Sequence, residues 1–298
     1  MKAKIGIAPI AWSNDDLPEL GGETSLETCL SEAKLAGFIG VETGGKFPKT
    51  SKELKPILDY YEISLCGGWY SGTLLDNDLE DEKLKVRSQM DLFIDLGAPC
   101  LVYGETSGTI QNIRNAPLNS RRVLSEEQFK IYGEKVTNFF EWCKAEGISL
   151  SFHHHMGTAV ETEKDLNYLM QFTDETVGLL FDPGHMAFAG GNIQDIIKKY
   201  GKRINHFHAK DVRSNIINNL NREKESFLDA VLKGAFTVPG DGSLNYIDII
   251  NNLKDVGYEG WFVVEAEQDP KICPPSVSYT HLRAHETGRK LVCRLLRE

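Results

Sequence analysis

The side chains best suited to chemistry in this chain are histidines and carboxylates, and they come in short clusters. These are Phe152-His-His-His155, Asp182-Pro-Gly-His185, His206-Phe-His-Ala-Lys210 and Glu265-Ala-Glu267, with Glu42 and Gly104-Glu105 earlier in the chain. Imidazole nitrogen and carboxylate oxygen together make a mixed donor set. Such a set suits a divalent ion of the manganese, cobalt, iron or zinc type, whereas magnesium alone prefers oxygen throughout. His153, Asp182, His208 and Glu265 are the candidate metal ligands.

Not every histidine belongs to that set. Residues 148–153 have a strand pattern, and strand side chains alternate between faces. Ile148, Leu150, Phe152 and His154 share one face; Ser149, Ser151, His153 and His155 share the other. His154 therefore reads as a satisfied core or surface residue. His206 lies one pleat deeper than His208, where a hydrogen bond inside a barrel would satisfy it. Glu267 and Asp269 read equally well as helix-start or surface carboxylates, and Trp69 and Tyr70 equally as pocket wall or packing.

The elements that must position these groups alternate in type. Strand patterns occupy residues 4–9, 38–42, 63–67, 100–104, 148–153, 177–182, 204–208 and 262–265. Amphipathic helical patterns occupy residues 26–36, 52–61, 81–96, 126–146, 163–172, 193–200, 224–232 and 246–256. Thr24, Thr50 and Ser125 each precede Glu or Gln by three residues, the spacing of a capping box. Gly37, Gly97, Gly147, Gly201 and Gly257 stand where helix C-caps are expected. Gly44-Gly45 and Gly67-Gly68 read as strand ends on the face that carries the clusters.

Eight strand–helix units imply a parallel sheet with right-handed crossovers, and their combined length fits an α/β protein built as a (β/α)8 TIM barrel. A doubly wound sheet would be expected to place a glycine-rich phosphate loop after its first strand. Ala8-Pro-Ile-Ala-Trp-Ser13 is no such loop. In a barrel, active groups collect at the C-terminal ends of the strands, and each cluster above falls at such an end. Residues 1–275 read as one barrel domain. Residues 276–298 are locally basic, with Arg283, Arg289, Arg294 and Arg297, and have only a weak apolar period. They read as foreign to the fold, or as a short basic helix. His281 and His285 within them are given no role.

Composition narrows the function classes. The net charge of −10 over 298 residues argues against nucleic-acid binding. No apolar run reaches the length of a membrane span. The cysteines Cys29, Cys66, Cys100, Cys143, Cys273 and Cys293 have long, irregular spacings and read as reduced thiols of a cytoplasmic protein. An assembly of identical copies is left open.

Longer motifs carry a resemblance. They are Gly68-Trp-Tyr-Ser71, Val102-Tyr-Gly-Glu-Thr-Ser-Gly-Thr-Ile-Gln111, Phe152-His-His-His-Met-Gly-Thr158, Asp182-Pro-Gly-His185, His206-Phe-His-Ala-Lys-Asp-Val212, Pro239-Gly-Asp-Gly242 and Val264-Glu-Ala-Glu-Gln-Asp-Pro270. In order and spacing the chain resembles the xylose-isomerase-like (β/α)8 superfamily of sugar isomerases and epimerases. Within that superfamily it resembles the myo-inosose-2 dehydratase family of inositol catabolism. The superfamily's metal site uses Glu, Asp, His and Glu, which Asp182, His208 and Glu265 match. His153 stands at the first glutamate, a departure shared with the dehydratase type. The resemblance implies a lyase that dehydrates 2-keto-myo-inositol (scyllo-inosose), a cyclitol ketone, to a cyclohexane-1,2-dione through a metal-stabilised enediolate. It implies Mn2+ or Co2+ as the ion, and an association with glutathione. On this reading His155, Glu105 and Lys210 are the acid–base candidates, and Glu42, His185 and Gln268 bind substrate hydroxyls. The alternative is a metal-dependent ketose 3-epimerase or sugar isomerase, which would return the proton instead of expelling hydroxide.

Overall fold

The computed structural model describes residues 3–273; the basic segment 276–298, with His281 and His285, lies outside the described residues. In chain order the elements are β1 (Ala3–Ile7), α1 (Leu26–Ala36), β2 (Gly40–Thr43), α2 (Ser51–Tyr61), β3 (Ser64–Gly72), α3 (Leu79–Asp95), β4 (Cys100–Glu105), α4 (Glu126–Ala145), β5 (Ser149–His153) and α5 (Glu163–Gln171). They continue with β6 (Gly178–Phe181), α6 (Pro183–Phe188), α7 (Ile193–Tyr200), β7 (Ile204–Ala209), β8 (Asp211–Val212), α8 (Ser214–Ile217), α9 (Phe227–Leu232), β9 (Phe236–Thr237), α10 (Tyr246–Asp255) and β10 (Gly260–Val264). Eight parallel strands close into a barrel in the order β1-β10-β7-β6-β5-β4-β3-β2. The expected TIM barrel is present, and each expected strand and helix overlaps an observed one.

Hydrophobic packing lies mostly outside the strands. Tyr103, Phe139, Phe140 and Phe152 form one aromatic seam between β4, β5 and α4, with ring centroids 5.5 to 6.5 Å apart. Burying each such ring contributes about 1.5–3 kcal/mol. Ile148, Leu150 and Phe152 join this outer core, as alternation requires. Inside the barrel, Ala8, Cys66, Trp261 and Val263 make a small apolar plug. On β7, His206 and His208 alternate with Phe207, which stacks on Phe262 of β10.

Local structure departs from expectation in instructive places. β3 runs on to Gly72, because Trp69, Tyr70, Ser71 and Gly72 pair with β4. Gly67-Gly68 is therefore strand interior, not a strand end. Gly68 is there for close approach, since a Cβ would stand 2.0 Å from Thr43 Oγ1. The N-cap of α1 is Ser25, not Thr24. Ser125 forms the full capping box with Gln128, whereas Thr50 caps Glu53 N. Further boxes at Thr162–Asp165 and Ser226–Asp229 escape a search for Glu or Gln, because Asp closes them. Gly37, Gly97, Gly147 and Gly257 take positive φ. Gly201 does not: its φ is −52° and it opens a short 3-10 turn.

Among the described residues no helix is long and apolar enough to cross a membrane. Cys29, Cys66, Cys100, Cys143 and Cys273 are free thiols; Cys293 lies outside the described residues.

Candidate active site

Four strand ends converge at the C-terminal mouth of the barrel. His153 ends β5, Asp182 follows β6, His208 lies on β7 and Glu265 follows β10. One donor atom from each lies within 4.8 Å of the others, and all four residues are buried. Asp182 Oδ2 stands 4.0 Å from His153 Nε2 and 3.8 Å from His208 Nδ1, while His208 Nδ1 touches Glu265 Oε2.

Hydrogen bonds aim these atoms. His153 Nδ1 donates to the His154 carbonyl at 2.6 Å, and a carbonyl can only accept, so Nε2 is left bare toward the cluster. Glu42 accepts from His208 Nε2 at 3.1 Å, which leaves Nδ1 on the cluster side. Asp182 caps α6: its Oδ1 accepts the His185 amide at 3.0 Å, with Pro183 in the first turn. Its other oxygen faces the cluster.

Asp182 Oδ2 is a buried polar atom without a hydrogen-bond partner, and His208 Nδ1 and Glu265 Oε2 press on each other outside hydrogen-bond geometry. Burial without a partner costs about 1–3 kcal/mol per group, more for charged groups. These three atoms converging on one point fit a cation held between them. The electrostatics agree. Burial would lower His208, but Glu265 and Glu42 outweigh it and hold the imidazole well above its usual pKa. Burial would raise Glu265, but His208 and Lys210 hold it well below the usual carboxylate range. The carboxylates around this ring call for positive charge.

A cleft of about 750 Å³ opens above the cluster. His153, His155, His208, Glu265 and Glu267 line it, with Trp69 and Val102 beside them and Asp15, Asp16 and Gln111 from two loops. Trp69 meets His153 and His155 edge-on at 5.7 Å. It fits because residue 104 is glycine; a Cβ there would stand 2.1 Å from the indole. Tyr70, its neighbour, faces outward and bonds Glu82 instead. The pair read ambiguously in the sequence divides between wall and packing.

The remaining sequence candidates are placed as follows. His155 lines the cleft, and its Nδ1 donates to the Met156 carbonyl at 2.8 Å, so a bare Nε2 faces Glu267 Oε1 at 4.0 Å. Burial, then Lys210, depresses its pKa to about 3, so the ring is neutral. Glu105 does not reach the cluster. It shares the outward face of β4 with Tyr103, and its oxygens accept from Tyr103 Oη, Ser107 N and Leu75 N. Lys210 is fully buried and does not line the cleft; its Nζ is held by Glu267, His185, Glu265 and Asp182. Burial would lower it, but Glu265, Glu267 and Asp182 keep it cationic, which leaves no lone pair for a base. Glu42 touches the cleft but spends both oxygens on His206 and His208; burial would raise it, and His208 then His206 bring it to about 2. His185 lies behind the cleft against Lys210. Gln268 is buried, and its amide donates to the Cys273 carbonyl at 3.4 Å. His154, expected to be a satisfied core or surface residue, is buried: its Nε2 accepts the Asp182 amide and its Nδ1 has no partner.

Two cleft groups escaped the sequence reading. Glu267 is buried, not a surface carboxylate, and burial pushes it up to about 7 against the pull of Lys210. Alternation from Glu265 was the available signal. Asp16 meets the Gln111 amide at 3.3 Å, a contact between loops that no local pattern announces.

The model of the xylose isomerase-like TIM barrel family matches residues 30–286. Rhizopine catabolism protein MocC of Rhizobium meliloti is 48% identical over 276 residues, covering 92% of this chain and 85% of that protein. An inosose dehydratase of Geobacillus thermodenitrificans is 41% identical over 276 residues, covering 92% of this chain and 93% of its own. Among solved structures, IolI protein with a bound zinc atom has a TM-score of 0.70 at 16% identity, covering 98% of each chain, which is a likeness of fold.

Proposed function

The chain belongs to the xylose isomerase-like TIM barrel family, and we propose that it is a hydro-lyase removing water from 2-keto-myo-inositol (scyllo-inosose) to give a trihydroxycyclohexane-1,2-dione. The observation that carries this reading is the match to inosose dehydratase, 41% identical over 92% of the chain.

The residues suit the reaction. A ketone acidifies the proton on the adjacent carbon, and expulsion of the β-hydroxyl needs a proton delivered to its oxygen. His153, Asp182, His208 and Glu265 would hold a divalent ion, Mn2+ or Co2+ by the resemblance above. Such an ion supplies Lewis-acid stabilisation of negative charge on the ketone oxygen. His155 Nε2 and Glu267 Oε1 face one another at 4.0 Å on the cleft wall and form the acid–base pair. One takes the carbon-bound proton; the other gives a proton to the departing hydroxyl, which leaves as water. Asp16 and Gln111 are placed for ring hydroxyls, and Trp69 offers a flat apolar edge to the ring's C–H face. Glutathione enters only through the family resemblance. The higher identity to MocC favours a second reading, in which the same cyclitol chemistry serves the breakdown of a rhizopine.

Incubation with scyllo-inosose and Mn2+ or Co2+, with and without glutathione, tests the proposal. Loss of one water, with a dione chromophore, is expected. An isomer of unchanged mass would instead make the chain an epimerase. A rhizopine-derived ketone consumed faster than scyllo-inosose would select the second reading.

A further inference from the structure

Among the described residues, three groups of buried side chains converge closely enough to hold an ion: His153–Asp182–His208–Glu265, Glu42–His206–His208 and His155–His185–Glu267. They differ in what already fills them. The first leaves Asp182 Oδ2 without a partner and presses His208 Nδ1 against Glu265 Oε2 outside hydrogen-bond geometry. The second is closed by its own hydrogen bonds, with Glu42 accepting from both imidazoles at 2.7 and 3.1 Å. The third has an ammonium seated in it. Lys210 Nζ lies 2.8 Å from His185 Nε2 and 2.7 Å from Glu267 Oε1, and none of the fully covered side-chain atoms left without a hydrogen bond belongs to these residues, while His155 Nε2 opens on the cleft. The Met156 amide stands 3.4 Å from His185 Nδ1, at the long limit of hydrogen bonding, so the shorter lysine contact fixes the ring's role as acceptor.

The lysine is built in. Its side chain has no exposed surface, and its Nζ sits 5.0 Å from the Phe236 ring centroid. Its stem runs so close to Gly184 that a Cβ there would stand 2.7 Å from Lys210 Cγ. The same Nζ reaches Glu265 at 3.0 Å and Asp182 at 3.5 Å. Asp182, Glu265 and Glu267 therefore bring three negative charges around one ammonium. One divalent ion in the first cluster plus one ammonium balances them, and a buried site of low dielectric favours neutrality.

We propose that Lys210 is a tethered cation occupying a second ion position beside the metal cluster, and that removing its ammonium opens that position to a divalent ion held by His185, Glu267 and His155. The proposal rests on the metal reading of the first cluster for the charge balance and the total count. Its own readout is the increment between two proteins. Lys210 is on this account a positioning residue: its charge fixes the carboxylates and sets how many ions the chain takes.

The test is ion stoichiometry. The full chain and its Lys210→Ala and Lys210→Arg variants are loaded with Co2+ and freed of excess by gel filtration. They are then measured by elemental analysis and by the visible spectrum of bound Co2+. One ion per chain is expected for the natural sequence and for Lys210→Arg, and two for Lys210→Ala, with a second absorption envelope. Lys210→Ala combined with Glu267→Gln should return to one. A folded Lys210→Ala protein that gains no ion overturns the proposal, as does a natural chain that already takes two. A gain of one ion over a natural chain that binds none supports the proposal while removing the metal reading of the first cluster. Where Lys210→Ala destabilises the fold, added Co2+ should restore its melting temperature. A variant that stays unfolded in Co2+ also overturns the proposal.

Discussion

Buried carboxylates occur on both sides of the barrel wall, and they are treated oppositely. Glu82 and Glu105 stand outside β3 and β4. Tyr70 Oη, Thr73 Oγ1 and Thr73 N serve Glu82; Tyr103 Oη, Ser107 N and Leu75 N serve Glu105. Every oxygen there is met by a donor of the chain itself. At the mouth of the other half, Asp182 keeps one oxygen unmet by any hydrogen bond, and Glu265 has one that meets only His208 Nδ1, outside hydrogen-bond geometry. Burial alone therefore does not mark a functional carboxylate. What marks it is burial with a lone pair left over. Saturated carboxylates brace loops; on the proposed function the unsaturated ones take a partner from outside the chain.

The largest effect that would test this contrast comes from the unsaturated side. Asp182→Ala and Glu265→Ala should each lower turnover by roughly 10³-fold, the scale of removing a group that stabilises developing charge. Each should also abolish retained Co2+ or Mn2+ in elemental analysis. Full activity in both would erase the distinction between the two sides. Next in size is Glu42→Gln. It leaves the barrel intact but loosens the carboxylate that orients His208. Metal affinity should fall by about 10–100-fold, read by titration of metal-free protein. An unchanged affinity would return Glu42 to the substrate-binding role expected from the sequence.

The saturated side should respond in stability instead. Glu105→Ala strands three donors and should cost about 1–3 kcal/mol in chemical denaturation while ion content stays unchanged. A turnover loss as large as that of Asp182→Ala, without destabilisation, would put Glu105 back among the catalytic groups. The smallest effect is a pH trend. Burial raises the Glu105 carboxyl above its ordinary 4.5, against the donors that favour its ionised form. The folded protein therefore binds that proton more tightly than the unfolded chain. The resulting stability is full below the ordinary value and fades as pH rises through the folded one. The melting-temperature gap between the natural chain and Glu105→Gln should narrow as the pH rises from that value toward neutrality. A gap that widens would mean the ionised form is the favoured one.

The same contrast explains what could be read from sequence. The elements were legible because alternation, caps and glycines are local. Alternation also set His153 and His155 apart from His154, and the strand ends brought His153, Asp182, His208 and Glu265 to one mouth. Strand-end position alone does not say which face Glu105 takes, because both faces of a parallel barrel strand are buried. Leu101, Val102 and Tyr103 are all fully or nearly fully covered, so hydrophobicity does not say which parity points inward. Lys210 was placed on the face of His208, but its four partners come from the segments that follow β6 and β10, which only the closed barrel assembles. Asp16 and Gln111 meet across loops nearly a hundred residues apart, which no periodicity records.

The divided carboxylate of Asp182 has a consequence for ion choice. One oxygen is committed to the first turn of α6, so it cannot swing round to chelate without releasing the His185 amide. On the proposed metal reading Asp182 would thereby be restricted to single-point attachment, and the Glu265 oxygen nearest Lys210 is restrained in the same way by that ammonium. Low denticity with two imidazole and two carboxylate donors would give a small, mixed coordination sphere. Calcium, which gathers six to eight oxygens and leans on chelating carboxylates, would be refused by the same hydrogen bond that starts a helix.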